Sequence, residues 1–156
     1  MEILEWLATS LVADHLKRSA TLYMFVNAAH ILAIGLVVGA ILPLDLRLLG
    51  FFKSFPLEVL GPFLSRAAAI GVLIAIVTGL CLFTVRPIEY AGNIAFLSKI
   101  GLVALAVLNA LLLHVRPAWG AVISRGKTDA MVRLSAAASL LLWISAIVAG
   151  RWIGFL

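Results

Sequence analysis

The sequence predicts an all-α integral membrane protein, an up-and-down bundle of four spanning helices preceded by an amphipathic interfacial helix. Three observations carry that prediction. Of 156 residues, 64% are hydrophobic and only 12% are charged. Mean hydropathy is +1.18, whereas a soluble domain of this length needs far more polar surface. The apolar residues also fall into four runs, each meeting the ~20 residues that a bilayer's hydrocarbon core requires.

Residues 2–18, EILEWLATSLVADHLKR, come first. Leu4, Leu7 and Leu11 recur at helical spacing, flanked by Ile3, Trp6 and Val12, while Glu5, Asp14 and Lys17 take the opposite side. Such a helix is too polar to span and is suited to lying in the interface. His15 belongs to its wet face. Glu2 and Glu5 stand where a secretory leader would carry basic residues, so no Sec-type signal peptide is expected.

Spans are predicted over residues 22–46, 62–85, 96–114 and 134–156, giving one transmembrane domain over 1–156. The links GFFKSFPLEVLG, RPIEYAGNIA and VRPAWGAVISRGKTDA are short, which makes consecutive spans antiparallel neighbours. Pro56, Pro62, Pro87 and Pro117 fall in or beside links, where a missing amide donor does little harm. Pro43 is the exception, placed to kink the first span.

Small residues mark expected helix contacts. Gly35 and Gly39 form a GxxxG step, Gly71, Ala75 and Gly79 repeat the spacing, and Ala146 and Gly150 do so again. In lipid, close backbone approach drives helix association, so these faces are expected against other helices or a second copy of the chain.

The net charge of +5 is spread over links and helix ends, as lipid headgroups require, and gives no sign of nucleic-acid binding. One side holds Arg47, Lys53, Arg66, Arg116, Arg125, Lys127 and Arg133. The other holds Lys17, Arg18, Arg86, Lys99 and Arg151. Seven against five places the first and third links in the cytoplasm and both termini outside. A single cysteine, Cys81, excludes an intramolecular disulfide and a Cys-based zinc site.

Function has to be sought in the polar residues inside the spans, because each costs insertion energy. His30 lies a third of the way along the first span, with Asn27 one turn before it on the same face. Lys99 and Arg151 fall near the same outer level, followed by Trp152. Asp45, Arg47, Arg66, Asn109, His114 and Arg116 fall near the inner one. His30 is ~12 Å below the outer end of its helix and His114 ~27 Å below the matching end of its own. The two are therefore expected not to share one iron, and His114 is a candidate ligand for a separate site.

Structural alternatives stand beside each reading. His30 can bond Asn27 or a carbonyl, His114 can be interfacial and pair with Asp45, and Lys99 can snorkel outward. Asp45 can form a neutralising ion pair with Arg47 or Arg66. Met24, Met131 and Cys81 make no soft-metal string. There is no phosphate loop, no paired catalytic carboxylates and no Ser–His–Asp set.

HILAIGLVVGAILPLDLRLL in the first span resembles the opening helix of the copper-resistance protein D (CopD) family and of the HemJ-type protoporphyrinogen oxidases. LSRAAAIGVLIAIVTGL, with Ser65, Arg66, Thr78 and Gly79, is similar to a CopD-type helix. FLSKIGLVALAVLNALLLH is similar to the Lys-bearing third helix of both families. The resemblance spans most of residues 21–115 and extends to small bacterial four-helix membrane proteins, which implies the bacterial inner membrane with periplasmic termini. It maps His30 onto a haem-ligand histidine and Lys99 onto the third-helix lysine. Val37 stands where those families carry a tryptophan, and the fourth span matches weakly.

Three functions follow as expectations. The first is a b-type haem protein that passes electrons or serves a redox partner, with His30 axial and Asn27, Lys99 and Arg151 around the cofactor. The second is CopD-like copper transport, and the third a cofactor-free accessory subunit of a larger membrane complex.

Overall fold

The computed structural model describes residues 2–126 and 128–155. Lys127, counted above on the inner side, and Leu156, the predicted end of the last span, lie outside the described residues. Among those described the chain is all-helical, with no strand. It is more than four spans and one interfacial helix, because eight α-helices form.

The predicted interfacial helix is two helices, α1 (Glu2–Ala8) and α2 (Leu11–Arg18). Ser10 breaks the run. Its extended backbone and its hydroxyl, which accepts from the Ala13 amide at 3.3 Å, make it the N-cap of α2. The end of α1 is closed by Lys17, whose ammonium donates to the Ala8 carbonyl at 2.7 Å. Ala13 and Leu16 of α2 are buried.

The first span is α3 (Ala20–Leu49), capped by Ser19 and ended by Gly50 at φ 104°, a left-handed conformation that suits glycine. It runs on through Pro43. α4 (Leu57–Phe83) begins five residues earlier than predicted and takes in Pro62. One residue upstream of that proline, Gly61 is buried directly against Ile123, in space that a Cβ would fill. The second link folds into α5 (Pro87–Gly92), leading to α6 (Ile94–His114), whose N-cap Asn93 accepts from the Phe96 amide at 3.1 Å. The third link folds into α7 (Pro117–Arg125). The last span, α8 (Ala130–Trp152), starts at the Asp129 cap, four residues before its predicted limit.

α3, α4, α6 and α8 are each long and apolar enough to cross a membrane. No more than 28% of the most apolar window of any span is buried within the molecule, so most apolar side chains face outward. Lipid is the solvent that such a surface fits. The chain is thus a multi-pass membrane protein by its own architecture.

α3 packs most extensively on α4, α6 packs on α8, and α3 joins the two pairs through α8. Gly71 sets the α3–α4 approach, since a Cβ there would meet the Val37 amide at 3.0 Å and the Ala33 carbonyl at 3.1 Å. α4 and α6 do not pack as closely. Side chains bridge them at both ends, with the Phe83 and Phe96 rings 5.5 Å apart at one and His114 bonded to Ser65 at the other.

These bridges define an α5 end, covered by α1 and α2, and an α7 end. Leu44, Leu48, Leu57, Leu113, Val122, Val132 and Ala136 form the core at the α7 end. Val37, Ala40, Ile41 and Ala68, with Trp143 against them, form the next layer toward the middle. The GxxxG step expected at a helix contact is turned outward, because no atom lies within 4 Å of a Cβ built at Gly35 or Gly39.

Candidate functional site

His30 and Lys99 lie at similar depth near the α5 end. His30 faces Thr78, which is five residues, or ~7.5 Å, inside the end of α4. Lys99 is likewise five residues inside the start of α6, ~7.5 Å. Both side chains are half-buried, and Lys99 is near enough for its charge to act on the imidazole.

The hydrogen bonds of His30 fix its tautomer by elimination. The Thr78 hydroxyl has one proton, and its shortest bond, 2.7 Å, goes to the Ile74 carbonyl. The 2.9 Å contact between Thr78 Oγ1 and His30 Nδ1 is therefore donated by the ring. Nε2 is left with its lone pair. A ligating histidine is held in the same way, with its other N–H given to a protein oxygen.

Two glycines accommodate these side chains. A Cβ on Gly79 would come to 3.1 Å from His30 Cε1, so the imidazole lies on bare backbone. A Cβ on Gly150 would come to 3.4 Å from Lys99 Cδ. The small-residue spacing of these helices thus makes room for side chains here, not for a neighbouring backbone.

Other expected members of the site lie elsewhere. Asn27 is exposed, and the imidazole bonds Thr78 in its place. Arg151 is exposed, with its guanidinium 4.6 Å from the centre of the Phe155 ring. His114 is at the α7 end, fifteen residues (~22 Å) along α6 from Lys99. Its Nδ1–H donates to the Ala110 carbonyl at 2.8 Å, which leaves Nε2 to accept from the Ser65 hydroxyl at 3.1 Å. Its ring is also 4.5 Å from that of Trp119. His15 donates to the Leu11 carbonyl on the exposed face of α2.

The expected Asp45 ion pair is absent among the described residues, where the ion pairs are Arg18–Asp14 and Arg86–Glu89. The reason is helical geometry. Residues two apart do not face each other, so Arg47 points away from Asp45. Its Nε donates to the Phe55 carbonyl at 2.8 Å and Nη2 to that of Lys53 at 3.4 Å, which ties down the link after α3. The pairing of His114 with Asp45 gives way to the Ser65 bond.

Sequence reasoning missed Thr78 and Ser65 as the histidine partners. It also missed the aromatic group over the α5 end, where Tyr90 lies 5.3 Å from Phe96 and 6.3 Å from Phe83. Burial, with Tyr23 and Glu89 nearby and against the pull of Arg86, raises the Tyr90 phenol above its ordinary pKa. Tyr90 is therefore a neutral hydroxyl. No group of three or more His, Cys, Asp or Glu side chains able to hold a metal occurs among the described residues.

Four spans, a half-buried histidine bonded to Thr78 through Nδ1 and a nearby lysine define a polytopic membrane protein with a small polar site near one face. The chain belongs to the family of unknown function DUF6644, whose model matches residues 3–156. No curated protein and no solved structure matches it.

Proposed function

We propose that this is a small b-type haem-binding membrane protein with an electron-transfer role, in which His30 Nε2 would be an iron ligand. One observation carries the reading: Thr78 takes the Nδ1 proton and leaves Nε2 as a donor inside a span. That donor suits iron, and haem when bound supplies one-electron chemistry. The residues present fit one axial position. Gly79 lets the ring lie flat on α4, and Lys99 is a cation placed to pair with a propionate. The resemblance to the HemJ-type helices points the same way, in a bacterial inner membrane with the α5 end periplasmic.

CopD-like copper transport finds less support, since His30 and His114 lie at opposite ends and His114 has both ring nitrogens engaged. The accessory-subunit reading is favoured by one observation, the outward-facing Gly35–Gly39 step.

An absorption spectrum of protein purified from cells with ample haem tests the proposal. A Soret band with reduced α and β bands is expected, lost in His30→Ala and kept in His114→Ala. A colourless preparation overturns it. Colourless protein carrying a stoichiometric partner would instead support the accessory subunit.

A further inference from the structure

Asp45 is the one buried acid among the seven in the chain. It is 5% exposed, four residues inside the α7 end of α3, and its Oδ2 has no hydrogen-bond partner among the described residues. On α8, Ser139 (7% exposed) lies beside the carboxyl. One turn further along α8 is Trp143, whose indole Nε1 also has no partner among the described residues. Two orphaned polar atoms in one helix interface are unusual, because buried polar groups are nearly always bonded.

No charge compensates the carboxyl among the described residues. Its own helix supplies Arg47, which is committed to the Phe55 and Lys53 carbonyls. α4 supplies Glu58 and Arg66, both exposed, and α8 supplies Arg133, exposed and bonded to Thr128. His114 on α6 is spent on Ala110 and Ser65. A lone carboxylate buried this deeply carries a desolvation cost of several kcal/mol. Nor does the site suit a metal cation, because Asp45 and Ser139 offer too few oxygens. A proton needs only one oxygen.

We propose that Asp45, beside Ser139 across the α3–α8 interface, forms a proton-binding site that loads from the α7 end. The neutral acid can donate its O–H locally, and four residues of α3 (~6 Å) separate it from the end of the helix. This reading does not depend on haem at His30.

Infrared spectroscopy of the full chain in lipid at neutral pH tests it. The other six Asp and Glu side chains are exposed or half-exposed, so a carboxylic acid shielded from water is expected from Asp45 alone. The expected result is one C=O stretch of a protonated carboxylic acid that shifts in D2O, disappears in Asp45→Asn and moves in Asp45→Glu. The wild-type band and its D2O shift need no variant to fold. No acid band in wild type, or a band that persists in Asp45→Asn, overturns the proposal. A band that neither exchanges in D2O nor weakens as pH rises from the α7-end side also overturns it, since that acid would be sealed.

Discussion

The two ends of the bundle treat their polar side chains in opposite ways. At the α7 end the protein itself satisfies most of them: His114 uses both ring nitrogens, Arg47 holds two loop carbonyls, and Asn109 and Ser135 bond each other reciprocally. At the α5 end, His30 has one nitrogen engaged, and its other one, like the Lys99 ammonium, has no hydrogen bond among the described residues. Intramembrane polar groups cost the same to insert at either end. Where partners are internal, the group is explained by architecture. Where they are left over, a ligand is the simpler account, and that contrast, more than the histidine alone, singles out His30.

The sharpest test of the contrast compares the two hydroxyl partners. Thr78→Val removes the oxygen that receives the His30 Nδ1 proton and keeps the side-chain shape. If His30 is a ligand, haem affinity should fall about 10–100-fold, as for other lost supports of a ligating histidine. A titration of apoprotein with haem, followed at the Soret band, measures this. Ser65→Ala should leave that affinity unchanged and cost less than about 1 kcal/mol of stability, because exposed His114 can turn to water. Equal effects of both variants on haem affinity would erase the distinction between the ends.

These partnerships show where the sequence is legible and where it is not. Hydropathy located all four spans within a few residues, because apolar length is the property that a bilayer selects. Helix starts were less readable. Pro87 and Pro117 read as link punctuation, yet each sits in the first turn of a short helix, where proline has no amide to lose. Ser10 carried a cap signal inside a pattern that otherwise read as one helix. His30 could be named from its position alone. Its partner Thr78 is 48 residues away, and only the α3–α4 register, fixed where Gly71 meets Ala33 and Val37, brings the two together. Asp45 and Arg47 looked like a pair because they are close in sequence, although helical geometry separates them.

The glycine cradles sharpen the contrast at smaller cost. Gly79→Ala places a methyl 3.1 Å from His30 Cε1, tighter than ordinary contact, so the imidazole must shift by a few tenths of an ångström. A loss of about 1–3 kcal/mol is expected, the usual range for overpacking. It should appear as altered haem affinity or an altered spectrum as well as reduced thermal stability. Gly150→Ala meets Lys99 Cδ at 3.4 Å, ordinary contact with a flexible chain, and should be nearly neutral in both. If Gly79→Ala lowers stability and leaves bound haem untouched, His30 is a packing residue and the comparison fails at its centre.

A modest effect belongs to the Asn109–Ser135 pair between α6 and α8. Asn109 Nδ2 donates to the Ser135 carbonyl at 3.0 Å, and the Ser135 hydroxyl donates back to Asn109 Oδ1 at 2.9 Å. Two good bonds suggest a large contribution. In a membrane, however, the separated helices also find partners, and such bonds average only about 0.6 kcal/mol. Asn109→Ala, which removes both bonds, should therefore lower stability by about 1 kcal/mol in a detergent or force-based unfolding measurement, with no change at the Soret band. A spectral change would mean that the α6–α8 register is transmitted along α6 to Lys99, and the ends would then be coupled. A purely small, silent loss is what a satisfied structural pair predicts.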